Sequence, residues 1–305
     1  MISVKGLVAA PYTAFTASGD VDYGRVEAQQ KYYKDNGISG VFACGTTGEG
    51  SALTTEEKKL LLEEWVKYRE PGFAVIAFLG GTSTRECISL ARYASEIGVD
   101  AVAMTAPYYQ KAANVRDLVL TLREVASAVP ETPFFYYHIP VLTHVNFPMI
   151  ELLKLADSMI PAFAGIKYTY EDLMDFQLCV EFKDRKYKIM YGRDEMMLPA
   201  LSVGADTFIG STYGYSAPLY HELMKAYASG DMKKAASLQL ETNRMIQILV
   251  KYGNGAGKAF MKAAGFDMGP TRLPFHTLTD EEYSAFLADL SQTSFERYKN
   301  VLKQL

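Results

Sequence analysis

Long apolar runs are missing from this 305-residue sequence: no stretch approaches the roughly 18 apolar residues that a membrane-spanning helix needs. The first apolar run, Gly6 to Ala10, is too short for the hydrophobic region of a signal peptide, and no Asn-x-Ser/Thr acceptor occurs. Cysteine is scarce. Cys44, Cys87 and Cys179 lie far apart in apolar surroundings, which excludes a disulfide framework and a zinc site of ordinary spacing. An excess of positive charge is also absent: 31 Lys+Arg against 35 Asp+Glu leave a net charge of −4, which argues against general nucleic-acid or anionic-membrane partners. The expectation is a soluble protein of the reducing cytoplasm.

The composition that remains, 49% hydrophobic and 22% charged, is that of a globular chain with ample core. Eight short apolar runs rich in β-branched and aromatic residues alternate with longer amphipathic segments. They are Gly6 to Ala10, Gly40 to Cys44, Ala74 to Leu79, Ala101 to Ala106, Pro133 to Tyr137, Ala162 to Lys167, Tyr187 to Tyr191 and Asp206 to Gly210. Helix starts such as Thr54-Thr55-Glu56-Glu57 and Thr82-Ser83-Thr84-Arg85-Glu86 fall between them, and Gly37, Gly98 and Gly204 stand where a helix ends before the next strand. Eight such βα units predict a TIM barrel of the α/β class over residues 1–217, with an open doubly wound sheet as the alternative. Residues 218–305 predict a helical extension, with helices over Pro218 to Ala228, Met232 to Lys251, Gly257 to Ala264 and Asp280 to Leu302. No flexible linker separates it, so it is expected to pack on the barrel.

In a barrel of this kind, chemistry sits where strands end. The second run ends in Gly45-Thr46-Thr47-Gly48-Glu49-Gly50, whose amides and hydroxyls suit a carboxylate or phosphate; an ordinary turn before a capped helix is the alternative. The sixth ends in Lys167, where desolvation would lower the pKa and leave an amine able to form a Schiff base, although a solvated surface lysine is the commoner reading. Tyr136-Tyr137 ends the neighbouring run and offers a phenol as proton shuttle or as core filling. Asp194 and Glu195 follow the seventh run, either to cap a helix or to accept hydrogen bonds from a polyol. Two motifs fail. His221-Glu222 has Lys225 where a zincin helix needs its second His, and Gly255-Ala256-Gly257-Lys258 lacks the Ser/Thr of a phosphate loop because Ala259 follows.

Taken jointly, Gly45-Thr46-Thr47-Gly48-Glu49, Tyr137-His138-Ile139-Pro140, Gly165-Ile166-Lys167 and Gly210-Ser211-Thr212-Tyr213 resemble the pyruvate-dependent class I aldolases of the dihydrodipicolinate synthase and N-acetylneuraminate lyase family. The likeness covers nearly the whole chain, including Pro107-Tyr108-Tyr109 and Met268-Gly269-Pro270, and is closer to the sialic-acid-cleaving branch. Leu142 stands where the synthases carry an Arg for a substrate carboxylate, and a neutral side chain cannot make that bidentate contact. Other departures are Thr13-Ala14-Phe15 for a Thr-Pro-Phe turn, Thr46 where bacterial lyases often have Ser, and His138 for the commoner Asn.

The resemblance implies that Lys167 forms an imine with the C2 keto group of open-chain sialic acid. It implies that Tyr137 exchanges the C4 hydroxyl proton, aided by Thr46 and by Tyr109 of a neighbouring subunit. Thr46 and Thr47 would hold the pyruvate carboxylate, and Thr169, Gly192, Asp194, Glu195 and Ser211 the hydroxyl-bearing chain. The products would be N-acetylmannosamine and pyruvate, with no metal or dissociable cofactor, in a homotetramer. An aldolase for another 2-keto-3-deoxy sugar acid and a non-catalytic ligand-binding paralogue are the competing readings.

Overall fold

In the computed structural model, which describes residues 4–302, eight parallel strands close into a barrel in sequential order. They are β1 (Gly6–Ala9), β2 (Gly40–Ala43), β3 (Ala74–Phe78), β4 (Ala101–Thr105), β5 (Phe134–His138), β6 (Phe163–Tyr168), β7 (Lys188–Tyr191) and β8 (Thr207–Gly210). Each lies within one residue of the run read from the sequence, and the pairing of Gly6 with Thr207 through Ala9 with Gly210 closes the ring and rules out the open sheet. The runs are continuously apolar because both faces are buried. Val8, Phe42, Ile76, Phe135 and Ile209 fill the lumen, while Leu7, Val41, Val75, Phe134 and Ile166 pack outward against the helices.

The outer layer comprises α1 (Val26–Asp35), α2 (Thr55–Lys67), α3 (Thr84–Glu96), α4 (Val115–Ala126), α5 (Pro140–Thr143), α6 (Met149–Met159), α7 (Leu173–Glu181), α8 (Met197–Ser202) and α9 (Tyr213–Ala228). Thr54 opens α2 with a capping box to Glu57, and the Ser83 hydroxyl accepts from Glu86 N at the start of α3, so both helix starts read from the sequence are in place. Gly37, Gly98 and Gly204 all take the positive φ expected of them.

The extension consists of α10 (Met232–Tyr252), α11 (Ala256–Ala263), α12 (Asp280–Leu290) and α13 (Phe295–Tyr298). Two expectations need correction. The single helix expected from Asp280 to Leu302 breaks after Leu290, where the Thr293 hydroxyl donates to Leu290 O at 2.7 Å and accepts from Phe295 N, competing with the helical ladder. The helix expected from Pro218 instead starts at Tyr213 and kinks at Ser216 (φ −142°, ψ 34°). Pro218 has no N–H to offer the carbonyl of Gly214. The fully buried Asn300 fills this gap, donating to Tyr213 O and Gly214 O at 3.0 Å each and accepting from Ala217 N at 2.7 Å. The boundary drawn at residues 217 and 218 falls inside this kinked helix. Among the described residues no helix is long and apolar enough to cross a membrane.

Replacing Asn300 with Ala strands one buried N–H and two carbonyls, each worth roughly 1–3 kcal/mol when unpaired. Chemical denaturation is expected to show a loss of about 3 kcal/mol or more, against ~1 kcal/mol for Thr54→Ala at an exposed cap. Equal losses would contradict the role given to Asn300.

Candidate active site

The register of β5 and β6 sets Tyr137 opposite Lys167, and the alternation of side chains turns both into the barrel mouth. Lys167 is 4% exposed, with Nζ 3.9 Å from the centroid of the Phe42 ring and 3.9 Å from that of Tyr137. Burial pushes its pKa down to about 7, against the opposing pull of the Asp194 carboxylate. At neutral pH a large share of the side chain is therefore free amine, while the two ring faces still favour the charged form.

Tyr137 is wedged edge-on against Phe42 and Phe78. Burial pushes its phenol up to about 12, with the hydroxyls of Thr46 and Thr169 pulling the other way. Thr169 follows β6, its N–H held by His138 O at 2.8 Å, and its buried Oγ1 closes no hydrogen bond of acceptable geometry. A Cβ at Gly192 would lie 2.0 Å from that oxygen, so the end of β7 can pass Thr169 only as glycine.

The turn after β2 presents Thr46 and Thr47, and among the described residues the amides of Thr46, Thr47 and Gly48 donate to no protein acceptor. Unengaged amides on a tight turn are the kind of group that can receive an anion. Thr46, Thr47 and Ser211 line a pocket of about 420 Å³ with Tyr12, and α10 and the turn after it close its far side through Leu249, Val250 and Asn254.

Asp194 begins the turn after β7 and is 5% exposed. Its Oδ2 accepts from Thr212 N at 3.1 Å and Thr212 Oγ1 at 2.6 Å, while its buried Oδ1 has no partner. A Cβ at Gly210 would fall 1.8 Å from Oδ1, so this carboxylate rests on the end of β8. Burial raises its pKa to about 6, the Thr212 hydroxyl opposing. Neither acid's side chain caps the short 3-10 turn they open, Asp194–Met196, although both lie at its start, where the helix dipole favours acids. Arg193 occupies the N-cap without a side-chain bond, and the start of α8 is capped by Gln239, whose Oε1 accepts from Leu198 N at 2.8 Å. Glu195 stands at the rim, its Oε1 3.1 Å from Arg193 Nε in an ion pair that lacks hydrogen-bond geometry.

Lys167, Tyr137, Thr46, Thr47, Thr169, Gly192, Asp194, Glu195 and Ser211 thus all come from strand ends at one face of the barrel. Tyr109 does not join them: it is 85% exposed on the turn after β4. Leu142 is half exposed on α5, and the His138 ring points outward beside Tyr168 and Tyr170, where burial pushes it down to about 3. Sequence reasoning missed Phe42, Tyr12, Thr212 and Gln239. Tyr12, just past the first run, carried a positional signal, whereas Gln239 sits 45 residues from the Asp194 carbonyl it bonds and carried none.

Residues 3–293 match the dihydrodipicolinate synthetase family. The chain is 37% identical to N-acetylneuraminate lyase of Mus musculus over 96% of its own length and 93% of the relative's. Among solved structures it resembles Proteus mirabilis N-acetylneuraminate lyase (TM-score 0.93, 34% identity, 96% and 99% of the two chains). It also resembles a dihydrodipicolinate synthase from Bacillus anthracis (TM-score 0.89, 28% identity, 95% and 99%).

Because the Asp194 carboxylate holds the Lys167 pKa up, Asp194→Asn should move it further below about 7. Measuring the rate of Lys167 acetylation by an activated ester against pH reads the midpoint, which is expected to fall in the variant. A midpoint that stays or rises would contradict the electrostatic coupling.

Proposed function

The chain belongs to the dihydrodipicolinate synthetase family, and within it we propose that it is a sialic acid aldolase that cleaves N-acetylneuraminate to N-acetylmannosamine and pyruvate. The observation that carries the reading is a buried lysine of lowered pKa at a strand end, facing a phenol and standing at the same barrel mouth as a turn of free amides. Lyase relatives spanning nearly the whole chain supply the substrate.

In this reading the Lys167 amine attacks C2 of the open-chain sugar acid, and loss of water leaves a protonated imine. The amides and hydroxyls of Thr46 and Thr47 hold the adjacent carboxylate. The C3–C4 bond then breaks, its electrons moving into the imine as an enamine while the C4 hydroxyl proton passes to Tyr137. Burial keeps Tyr137 protonated in the resting state; its proton leaves with the C2 hydroxyl as water when the imine forms, and the phenolate so made, with Thr46 beside it, accepts the C4 proton. An imine at the Lys167 position is a cation against the Tyr137 ring, which lowers the phenol when the proton must move. Protonation of the enamine at C3 and hydrolysis release pyruvate. Asp194 Oδ1, Glu195, Thr169, Ser211 and the backbone of Gly192 face the sugar's hydroxyl-bearing chain. Tyr109, exposed on this chain, is assigned to a neighbouring subunit's site in a cytoplasmic homotetramer.

Tyr137→Phe is expected to lower kcat by on the order of 10² to 10⁴ while imine formation persists, and unchanged kcat would remove the shuttle role. Specificity gives a separate test by assay of pyruvate release. Glu195→Gln should lower kcat/KM for N-acetylneuraminate by roughly 10- to 150-fold and leave a six-carbon 2-keto-3-deoxy acid little changed. Equal losses on both substrates would shift the assignment to an aldolase of shorter sugar acids.

A further inference from the structure

Lys258, the last residue of the glycine-containing motif that resembles a phosphate loop, is 5% exposed in α11 and reaches across to the barrel. Its Nζ lies 2.9 Å from Glu49 Oε1, donates to Pro270 O at 2.6 Å, and sits 4.1 Å from the centre of the Phe15 ring. With those neighbours around it the ammonium has little left for a ligand. Glu49 is 3% exposed, and its other oxygen, Oε2, accepts from Arg272 N at 2.8 Å. The Arg272 guanidinium in turn grips Glu57 at 2.8 and 2.5 Å and the carbonyls of Gly19 and Ala52.

Glu49 is also the residue that closes the anion-binding turn. It adopts φ 56°, its N–H donates to Thr46 O at 3.1 Å, and Gly50 N ties back to Gly45 O at 3.0 Å. Thr46 and Thr47 are therefore suspended between β2 and a carboxylate anchored in the extension. A buried ion pair is a poor device for stability alone, since an apolar pair of the same volume is often as stable or more so. What it supplies is direction: both Glu49 oxygens have fixed partners, so the turn has one position.

We propose, resting on the aldolase reading, that Glu49 and Lys258 form a positioning pair through which the extension sets the Thr46–Thr47 turn to receive the pyruvate carboxylate. Lys258 acts through Glu49 and does not touch the substrate. Weakening the pair should raise the pyruvate concentration needed for imine formation while leaving the nucleophile competent.

The test is borohydride trapping of the full-length protein across a pyruvate series, read by intact mass, with thermal unfolding measured in parallel. Glu49→Gln and the charge-balanced double variant Glu49→Gln/Lys258→Met should both require on the order of 10- to 100-fold more pyruvate for half-maximal adduct, yet reach the same plateau. Lys258→Arg, which keeps the charge, should stay closer to the parent protein. The double variant should regain thermal stability if Glu49→Gln loses it, and it carries the test alone if the single variant fails to fold. Parent-like half-saturation in the double variant would overturn this inference and leave the aldolase reading standing. No adduct with the parent protein would overturn both.

Discussion

An ammonium ion inside a barrel of apolar side chains is unfavourable, and the mouth of this barrel is organised around that fact. Desolvation of Lys167 turns a group that would be protonated in water into one that is about half free amine at neutral pH. The same low-polarity setting strengthens every charge left nearby, so the buried carboxylate of Asp194 acts on both Lys167 and Tyr137. The aromatic walls serve both forms: Phe42 and Tyr137 exclude water from the amine and stabilise the cation that an imine creates.

Strands fix Lys167 and Tyr137, but the groups facing the rest of a substrate lie on loops, and loops need external support to hold a geometry. The extension gives it at three places. Gln239 of α10 bonds the Asp194 carbonyl at 3.3 Å and caps α8, which steadies the turn carrying Asp194 and Glu195. Lys258 and Arg272 steady the turn carrying Thr46 and Thr47. Asn300 fills the break in α9, directly after the strand end that carries Ser211 and Thr212. The barrel thus supplies the reacting pair, and the extension supplies the registration of the pockets on either side of it.

The barrel was legible because parallel strands buried on both faces leave continuous apolar runs, and because the residue ending each run is the one presented at the mouth. Lys167 and a tyrosine beside it stood out as candidates by that rule, and family resemblance was needed to settle on Lys167 and to choose Tyr137 over Tyr136, which the pleat turns outward. The supporting polar contacts were illegible. Glu49 meets Arg272 across 223 positions, and the Asp194 carboxylate is bound by a hydroxyl from the next strand end, pairings that no local period encodes. The helix break after Leu290 was hidden, since it depends on a side chain capturing a backbone group, whereas Pro218 marks the break at Ser216, although by itself it reads as a helix start.

Two buried lysines have a lowered pKa: Lys167, at the barrel mouth, at about 7, and Lys258, which lines the pocket of Thr46 and Thr47, at about 8, where burial again outweighs an acidic partner, Glu49. Only the first is unpaired, and only the first faces a phenol. Peptide mapping after borohydride reduction with isotopically labelled pyruvate discriminates between them. Lys167 is expected to carry the single pyruvate-derived adduct and Lys258 to stay unlabelled; label on Lys258 or on any other lysine in place of Lys167 would contradict the assignment of the nucleophile.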